Sequence, residues 1–300
     1  MAQDDVLRFA ERVIALVDTG RKSATYKLAA LLALMDVTAA RTGADGDAPD
    51  VVSAIDVADR VIELYWPQTL AWDDGGPSGP RVLSQSPQND IPAKLAAFRT
   101  RHRLLGSCSL NDAEAVAPEA WHDLRTELRA IVLGMPLAKL QRFGGARSTH
   151  EERFIYQFSW REELSAGALR RPGFDDTLRL EPDVGDWLIR LSPLLRPLIQ
   201  AKWAERVARR NEEVVGKYHL DEFLFGATRV SLDRVRRPLL AAQAGLCFYC
   251  SRPVGTKADV DHFLPWSRHP ENALDNLVAT DPGCNSAKSA SIAAHPHLET

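Results

Sequence analysis

Cys247-Phe248-Tyr249-Cys250, Asp259-Val260-Asp261-His262-Phe263-Leu264-Pro265, Asn276-Leu277-Val278 and Cys284-Asn285-Ser286-Ala287-Lys288 follow one another within about forty residues near the end of the chain. Two thiols separated by two residues close on one tetrahedral ion from a tight turn. In a chain of four cysteines, that pair and the distant Cys284 point to a metal before a disulfide. Ala258 to Leu264 is short, apolar-flanked and ended by Pro265, as a strand would be. Cys284 to Lys288 opens a helix. Ser231 is a good N-cap for an earlier helix ending near Gly245.

Outward from this stretch, the composition is that of an ordinary folded chain. The 300 residues are 45% hydrophobic and 26% charged, which argues against a disordered, collagenous or membrane-embedded protein. The length suits about two domains and a real core. The formal net charge of −3 excludes a globally basic nucleic-acid coat, so any such binding needs a local patch or a site. Residues 221–300 carry 8 Lys and Arg against 9 Asp and Glu, so this part is not basic either. No stretch approaches the ~20 apolar residues that cross a bilayer, and the longest clean run, Leu28 to Met35, ends at Asp36. The opening Met1-Ala2-Gln3-Asp4-Asp5 is acidic where a signal peptide is basic. The expectation is a cytoplasmic protein with no membrane partner.

The first two-thirds read as helical. Val6, Phe9, Ala10, Val13, Ile14 and Val17 make one apolar face, with Gly20 past the helix end and Ser23 as the next N-cap. Leu28, Leu31, Leu32 and Met35 mark a second helix, and Ala58, Val61, Ile62 and Tyr65 a third. Tyr26, Tyr65 and Trp66 read as core. Asp73 to Asn89, broken by several Gly and Pro, is a loop. Helices are expected over 92–105 and 118–133, and from Ser192-Pro193 onward. Phe154, Tyr156, Phe158 and Trp160 alternate as a strand does, and Thr177 to Leu180 is a plausible partner. Two basic stretches stand out: Lys94, Arg99, Arg101 and Arg103, then Arg190, Arg196, Lys202, Arg206, Arg209 and Arg210. They are either phosphate-tracking surfaces or the solvated faces of amphipathic helices, and the second reading is the commoner one.

The four C-terminal segments, in this order and at these separations, resemble the HNH endonuclease family over roughly Cys247 to Ala290. The resemblance implies a ββα-metal fold and a metal-dependent endonuclease. It implies that Asp261 and Asn285 hold a catalytic Mg²⁺ or Mn²⁺, that His262 is the general base, and that Asn276 orients its imidazole. The residue types suit the task, because phosphodiester hydrolysis needs a base for water and charge neutralisation at the phosphate. Imidazole is the side-chain base for neutral pH, and a hard cation takes oxygen ligands. Neighbours on a strand point to opposite faces, so Asp261 and His262 share a site only where the strand end bends. Lys288, one helical turn after Asn285, is within reach of a non-bridging phosphate oxygen, and a helix start there favours an anion.

One feature departs from the family. Its full zinc-bearing pattern has a second Cys-x-x-Cys, or a His in that pair's first place, where this chain has Asp281. Three thiolates with Asp281, three thiolates with a water, and an unfilled site are the alternatives for Cys247, Cys250 and Cys284. A structural zinc would tie the two ends of this small module together.

The expected fold is α+β: a mainly α-helical region over 1–220, serving target or partner recognition, and a small ββα-metal nuclease domain over 221–300. The expected substrate is nucleic acid, DNA first, with the second strand and the loop from Trp266 to Asn276 shaping the groove. A role in bacterial defence is an analogy of architecture. A protein partner or an oligomer is left open. One alternative is a non-catalytic zinc-knuckle module binding nucleic acid or protein, which would need none of His262, Asp261 and Asn285. Another is a nuclease directed at RNA, which nothing in the sequence excludes.

Overall fold

The computed structural model describes residues 2–18, 25–43, 45–72, 81–86, 90–104, 108–143, 152–212, 220, 222–226, 233–255, 258–264 and 276–288. Gly20, Ser23, Ser231, Pro265 and the stretch from Trp266 to Asp275 lie outside them. The chain divides into two compact units, Met1–Leu224 and Phe225–Thr300. Both mix helix with a small antiparallel sheet. No described helix is long and apolar enough to cross a membrane.

Among the described residues, the first unit runs α1 (Ala2–Asp18), α2 (Tyr26–Ala40), β1 (Val51–Ser53), α3 (Ala54–Tyr65), α4 (Asp90–Arg101), α5 (Leu110–Val116), α6 (Pro118–Gly134), β2 (Tyr156–Gln157), α7 (Ala166–Leu169), β3 (Thr177–Leu180), α8 (Val184–Arg190) and α9 (Ser192–Arg210). Its centre is α2. The predicted face of Leu28, Leu31, Leu32 and Met35 is buried, but so are Ala29, Ala30, Ala33 and Leu34. A helix apolar on every side must be surrounded, and α3, α8 and α9 pack against it. On α9 the buried stripe is Leu195, Ile199, Trp203 and Val207, at intervals of four.

The sheet has the order β1-β3-β2. Tyr156 stands opposite Leu180, and Val52 opposite Leu178. β3 covers the expected Thr177–Leu180, whereas the aromatic alternation from Phe154 to Trp160 yields only two strand residues. Gln141 explains the shortfall. Its Oε1 accepts from the N–H of Phe154 (2.9 Å), Ile155 (2.7 Å) and Tyr156 (3.2 Å), and its Nε2 donates to the Tyr156 carbonyl at 2.8 Å. One side-chain amide thus replaces a neighbouring strand, and Phe154, Ile155 and Tyr156 are all buried rather than alternating.

Five of the ten basic residues that stood out in the sequence are engaged inside the unit, and the other five are exposed. Arg196, nearly buried, pairs with Asp36, which also receives Arg60 Nε at 2.7 Å. Lys202 pairs with Glu205 at 3.0 Å and Arg206 donates to the Val17 carbonyl at 2.6 Å. Arg99 is buried with its guanidinium 4.6 Å from the centre of the Trp66 ring, and Lys94 meets Glu127 at 2.8 Å. Asp59 joins α3 to α6 through Arg125 (2.7 Å) and Arg129 (2.6 Å). Burial works against that carboxylate, but the two guanidiniums prevail and hold its pKa below the usual range.

The second unit contains α10 (Asp233–Ala242), β4 (Asp259–His262), β5 (Leu277–Thr280) and α11 (Pro282–Lys288). β4 and β5 are antiparallel, with Asp259 opposite Thr280 and His262 opposite Leu277. All four residues of β5 are buried. The chain leaving α10 turns through Ala244 (φ 54°) and Gly245 (φ 74°), left-handed conformations that suit a helix end. Just before that turn, Gln243 clamps β5. Its Oε1 accepts from the Ala279 N–H and its Nε2 donates to the Ala279 carbonyl, both at 2.7 Å.

Replacing Gln141 with Leu leaves three buried N–H groups without this acceptor. Each unsatisfied buried group costs about 1–3 kcal/mol. The expected result in urea denaturation is a loss of about 2–4 kcal/mol, with partial recovery by water; an unchanged midpoint would remove Gln141 from this role.

Candidate metal and nuclease site

Two clusters are built from the second unit, and α11 contributes to both. The first is sulfur. The Sγ atoms of Cys247, Cys250 and Cys284 all lie within 4.8 Å of one another. Zinc–sulfur bonds of ~2.3 Å in a tetrahedron separate the sulfurs by ~3.8 Å, so the donor set fits zinc. The knuckle is shaped by its own backbone. Cys247 N donates to the Arg252 carbonyl at 2.8 Å, and Ser251 N donates to the Cys247 carbonyl at 2.9 Å. Phe248 N donates to the Ala279 carbonyl at 3.0 Å and so pins the knuckle to β5.

Burial pushes the Cys247 thiol up, but the Asp281 N–H at 3.2 Å, the Thr280 hydroxyl at 3.4 Å and the N–H groups of Cys250 and Tyr249 overcome it. The pKa falls from 9.0 to about 7. Cys284 moves the other way, to about 12, through its hydrogen bond to Cys250, burial, and its contact with Cys247. Asp281 has a different employment. Its Oδ1 accepts from the N–H of Gly283 (2.9 Å) and Cys284 (3.4 Å), capping α11, and the candidate metal group among the described residues is the three thiols without it.

The second cluster is oxygen. Side chains two apart on a strand share a face, which places Asp259 beside Asp261 on β4. Residues three apart share a face of a helix, which places Asn285 beside Lys288 on α11. The two faces meet: Asn285 Nδ2 donates to Asp259 Oδ2 at 3.1 Å, and Lys288 Nζ lies 2.9 Å from Asp261 Oδ2. Lys288 also donates to the His262 carbonyl at 2.9 Å. The same Asp261 oxygen receives the Tyr249 hydroxyl at 2.6 Å. Burial, this bond, and the charges of Asp261 and Cys247 raise the Tyr249 pKa well above its ordinary value, so the phenol remains a donor.

His262 ends β4, and the chain bends at Phe263 and Leu264. Asn276 grips that bend. Its Oδ1 accepts from Leu264 N at 2.8 Å, its Nδ2 donates to the Leu264 carbonyl at 3.2 Å, and its own carbonyl accepts from Phe263 N at 2.8 Å. The structure thus brings Asp261, Lys288 and the His262 main chain together, sets Asn285 on Asp259, and places the Asn276 amide on the turn just after His262. Lys288 is drawn inward, its side chain 7% exposed. Two residues of the cluster went unnoticed in the sequence. Asp259 was signalled by its two-residue interval from Asp261. Tyr249, inside the knuckle, carried no such signal.

A family model described as HNH endonuclease matches residues 247–294, wholly within the second unit. No curated protein and no solved structure matches the chain. The C-terminal region is therefore similar to a family of metal-dependent nucleases acting on nucleic acid, and both side-chain clusters fall inside the matched stretch.

Removing one thiol should empty the sulfur site. Cys284→Ser is expected to reduce co-purifying zinc from about one equivalent to a small fraction by elemental analysis, because three protein ligands are the least that structural and catalytic zinc sites retain. Zinc displaces thiol protons, so its affinity should fall steadily as pH drops, and more steeply below about 7, where Cys247 also takes up its proton. Zinc content equal to wild type in Cys284→Ser would contradict the assignment.

Proposed function

We propose that the chain is a metal-dependent endonuclease that hydrolyses phosphodiester bonds of nucleic acid, with DNA as the first expected substrate. The observation that carries this reading is the meeting of Asp259 and Asp261 with Asn285 and Lys288 inside the stretch that matches HNH endonucleases. Carboxylate and carboxamide oxygens are hard donors and fit Mg²⁺ or Mn²⁺; Asp261 and Asn285 hold the ion, with Asp259 beside them. A bound divalent cation supplies charge neutralisation at the phosphate and assistance to the leaving oxygen.

The remaining steps belong to the protein. His262, at the bent end of β4, takes the proton of the attacking water. Asn276 keeps that bend in place through Leu264. Lys288 offsets the repulsion between the two carboxylates and offers its ammonium to an incoming phosphate. Cys247, Cys250 and Cys284 hold a structural zinc that ties the knuckle to α11. A reducing cytoplasmic compartment suits three unpaired thiols. Target selection falls to the first unit or to a partner protein, since residues 221–300 are not basic. Defence against foreign DNA is the proposed biological setting, by analogy of architecture.

A non-catalytic knuckle is the second reading, favoured by the pairing of Asp261 with Lys288, which is also what a purely structural carboxylate would show. Plasmid nicking separates the two. The expected outcome is cleavage with Mg²⁺ or Mn²⁺, abolished by EDTA and restored by metal. General-base removal costs about 10²–10⁴-fold, so His262→Ala should lose at least about 100-fold in rate with duplex binding retained. A wild-type protein that binds duplex and never cuts would support the knuckle. Side-by-side digestion of duplex DNA, single strands and structured RNA assigns the substrate.

A further inference from the structure

The Tyr249 hydroxyl links the segment bearing Cys247 and Cys250 directly to the Asp261 carboxylate. Its position is set from several sides. Its ring meets Phe248 edge-on with centroids 5.5 Å apart, Phe248 meets Phe263 in the same way at 5.6 Å, and the Phe248 N–H is bonded to β5. Lys288 Nζ, 5.9 Å from the centre of the Tyr249 ring, reaches the same Asp261 oxygen from α11. Oδ2 of Asp261 is thus held by two donors, one from the knuckle and one from the helix that also carries Cys284.

We propose that Tyr249 is a positioning residue for Asp261, and that by lying between two thiol ligands it makes filling of the sulfur cluster tighten the grip of the carboxylate face on its divalent ion. This rests on the nuclease reading above. The reasoning is geometric. Closing three thiols on one ion fixes the turn that contains Tyr249. A fixed turn aims the hydroxyl at one carboxylate oxygen, and an aimed carboxylate loses less freedom when it takes a cation. Hydrogen bonds to metal-ligating carboxylates are worth about 10–100-fold in metal affinity, and coupling between two sites commonly amounts to 5–150-fold.

The test uses the full chain and two probe metals. Cadmium occupies the thiols and reports its uptake through the thiolate charge-transfer band; Mn²⁺ binding to the oxygen cluster is followed by electron paramagnetic resonance. In wild type, cadmium loading should tighten Mn²⁺ binding by about 10-fold. Cadmium-loaded Tyr249→Phe should take up cadmium normally, melt within a few degrees of wild type, and bind Mn²⁺ about 10-fold more weakly. Cadmium should then change its Mn²⁺ affinity by less than about 2-fold, the coupling having been lost. Equal Mn²⁺ affinity in cadmium-loaded wild type and cadmium-loaded Tyr249→Phe overturns the positioning role. So does a variant that merely melts earlier with its Mn²⁺ affinity intact. Wild-type affinity indifferent to cadmium overturns the coupling and needs no variant. A wild-type protein that binds no Mn²⁺ removes the nuclease reading itself, and this inference with it.

Discussion

Oδ2 of Asp261 accepts from the Tyr249 hydroxyl and pairs with the Lys288 ammonium, and through that one atom a knuckle, a strand and a helix are brought to a common point. The pair is well shielded, with 12% and 7% of the two side chains exposed. Such a pair stabilises little more than well-packed apolar groups, but removing one partner leaves a buried charge and costs about 3–5 kcal/mol. Its value here is geometric. It determines where a carboxylate stands relative to Asp259 and Asn285, and the proposed cation site depends on that placement.

The short helix α11 reaches two side-chain clusters. Its first turn carries the Cys284 sulfur to the other two thiols, and its next residues bring Asn285 to Asp259 and Lys288 to Asp261. Seven residues do not form a stable helix alone. The order of α11 therefore depends on these contacts and on the Asp281 cap, which satisfies N–H groups that no residue inside the helix can reach. β5 serves the same arrangement from behind. Gln243 and Phe248 both bond to Ala279, so the helix before the knuckle and the knuckle itself share one buried strand.

Much of this was legible in the residues, because spacing and alternation carry it. The Cys-x-x-Cys interval and the later Cys284 announced a shared ion, and the three sulfurs do converge. The run of apolar residues from Leu28 to Met35 announced a helix, though its central place came from the alanines between the leucines. Other features depend on tertiary partners and leave no local trace. Gln141 shortens an aromatic strand from outside it. The later basic stretch is largely consumed by Asp36, Glu205 and a carbonyl on α1. Asp281 stands where a ligand is expected by resemblance, yet serves the helix it precedes. The pairing of Lys288 with Asp261 is another contact that the sequence does not announce. Tyr249 could not be singled out, since an aromatic residue inside a knuckle is ordinary until its hydroxyl is seen on a carboxylate.

Anomalous diffraction from crystals of the full chain grown with zinc and Mn²⁺ tests the central arrangement most directly, because each metal is located by its own absorption edge. The account predicts zinc among the sulfurs of Cys247, Cys250 and Cys284, and manganese on oxygens of Asp261 and Asn285, beside Asp259. Manganese found elsewhere, or Asp261 still paired with Lys288 under saturating Mn²⁺ and no ion beside it, would contradict it.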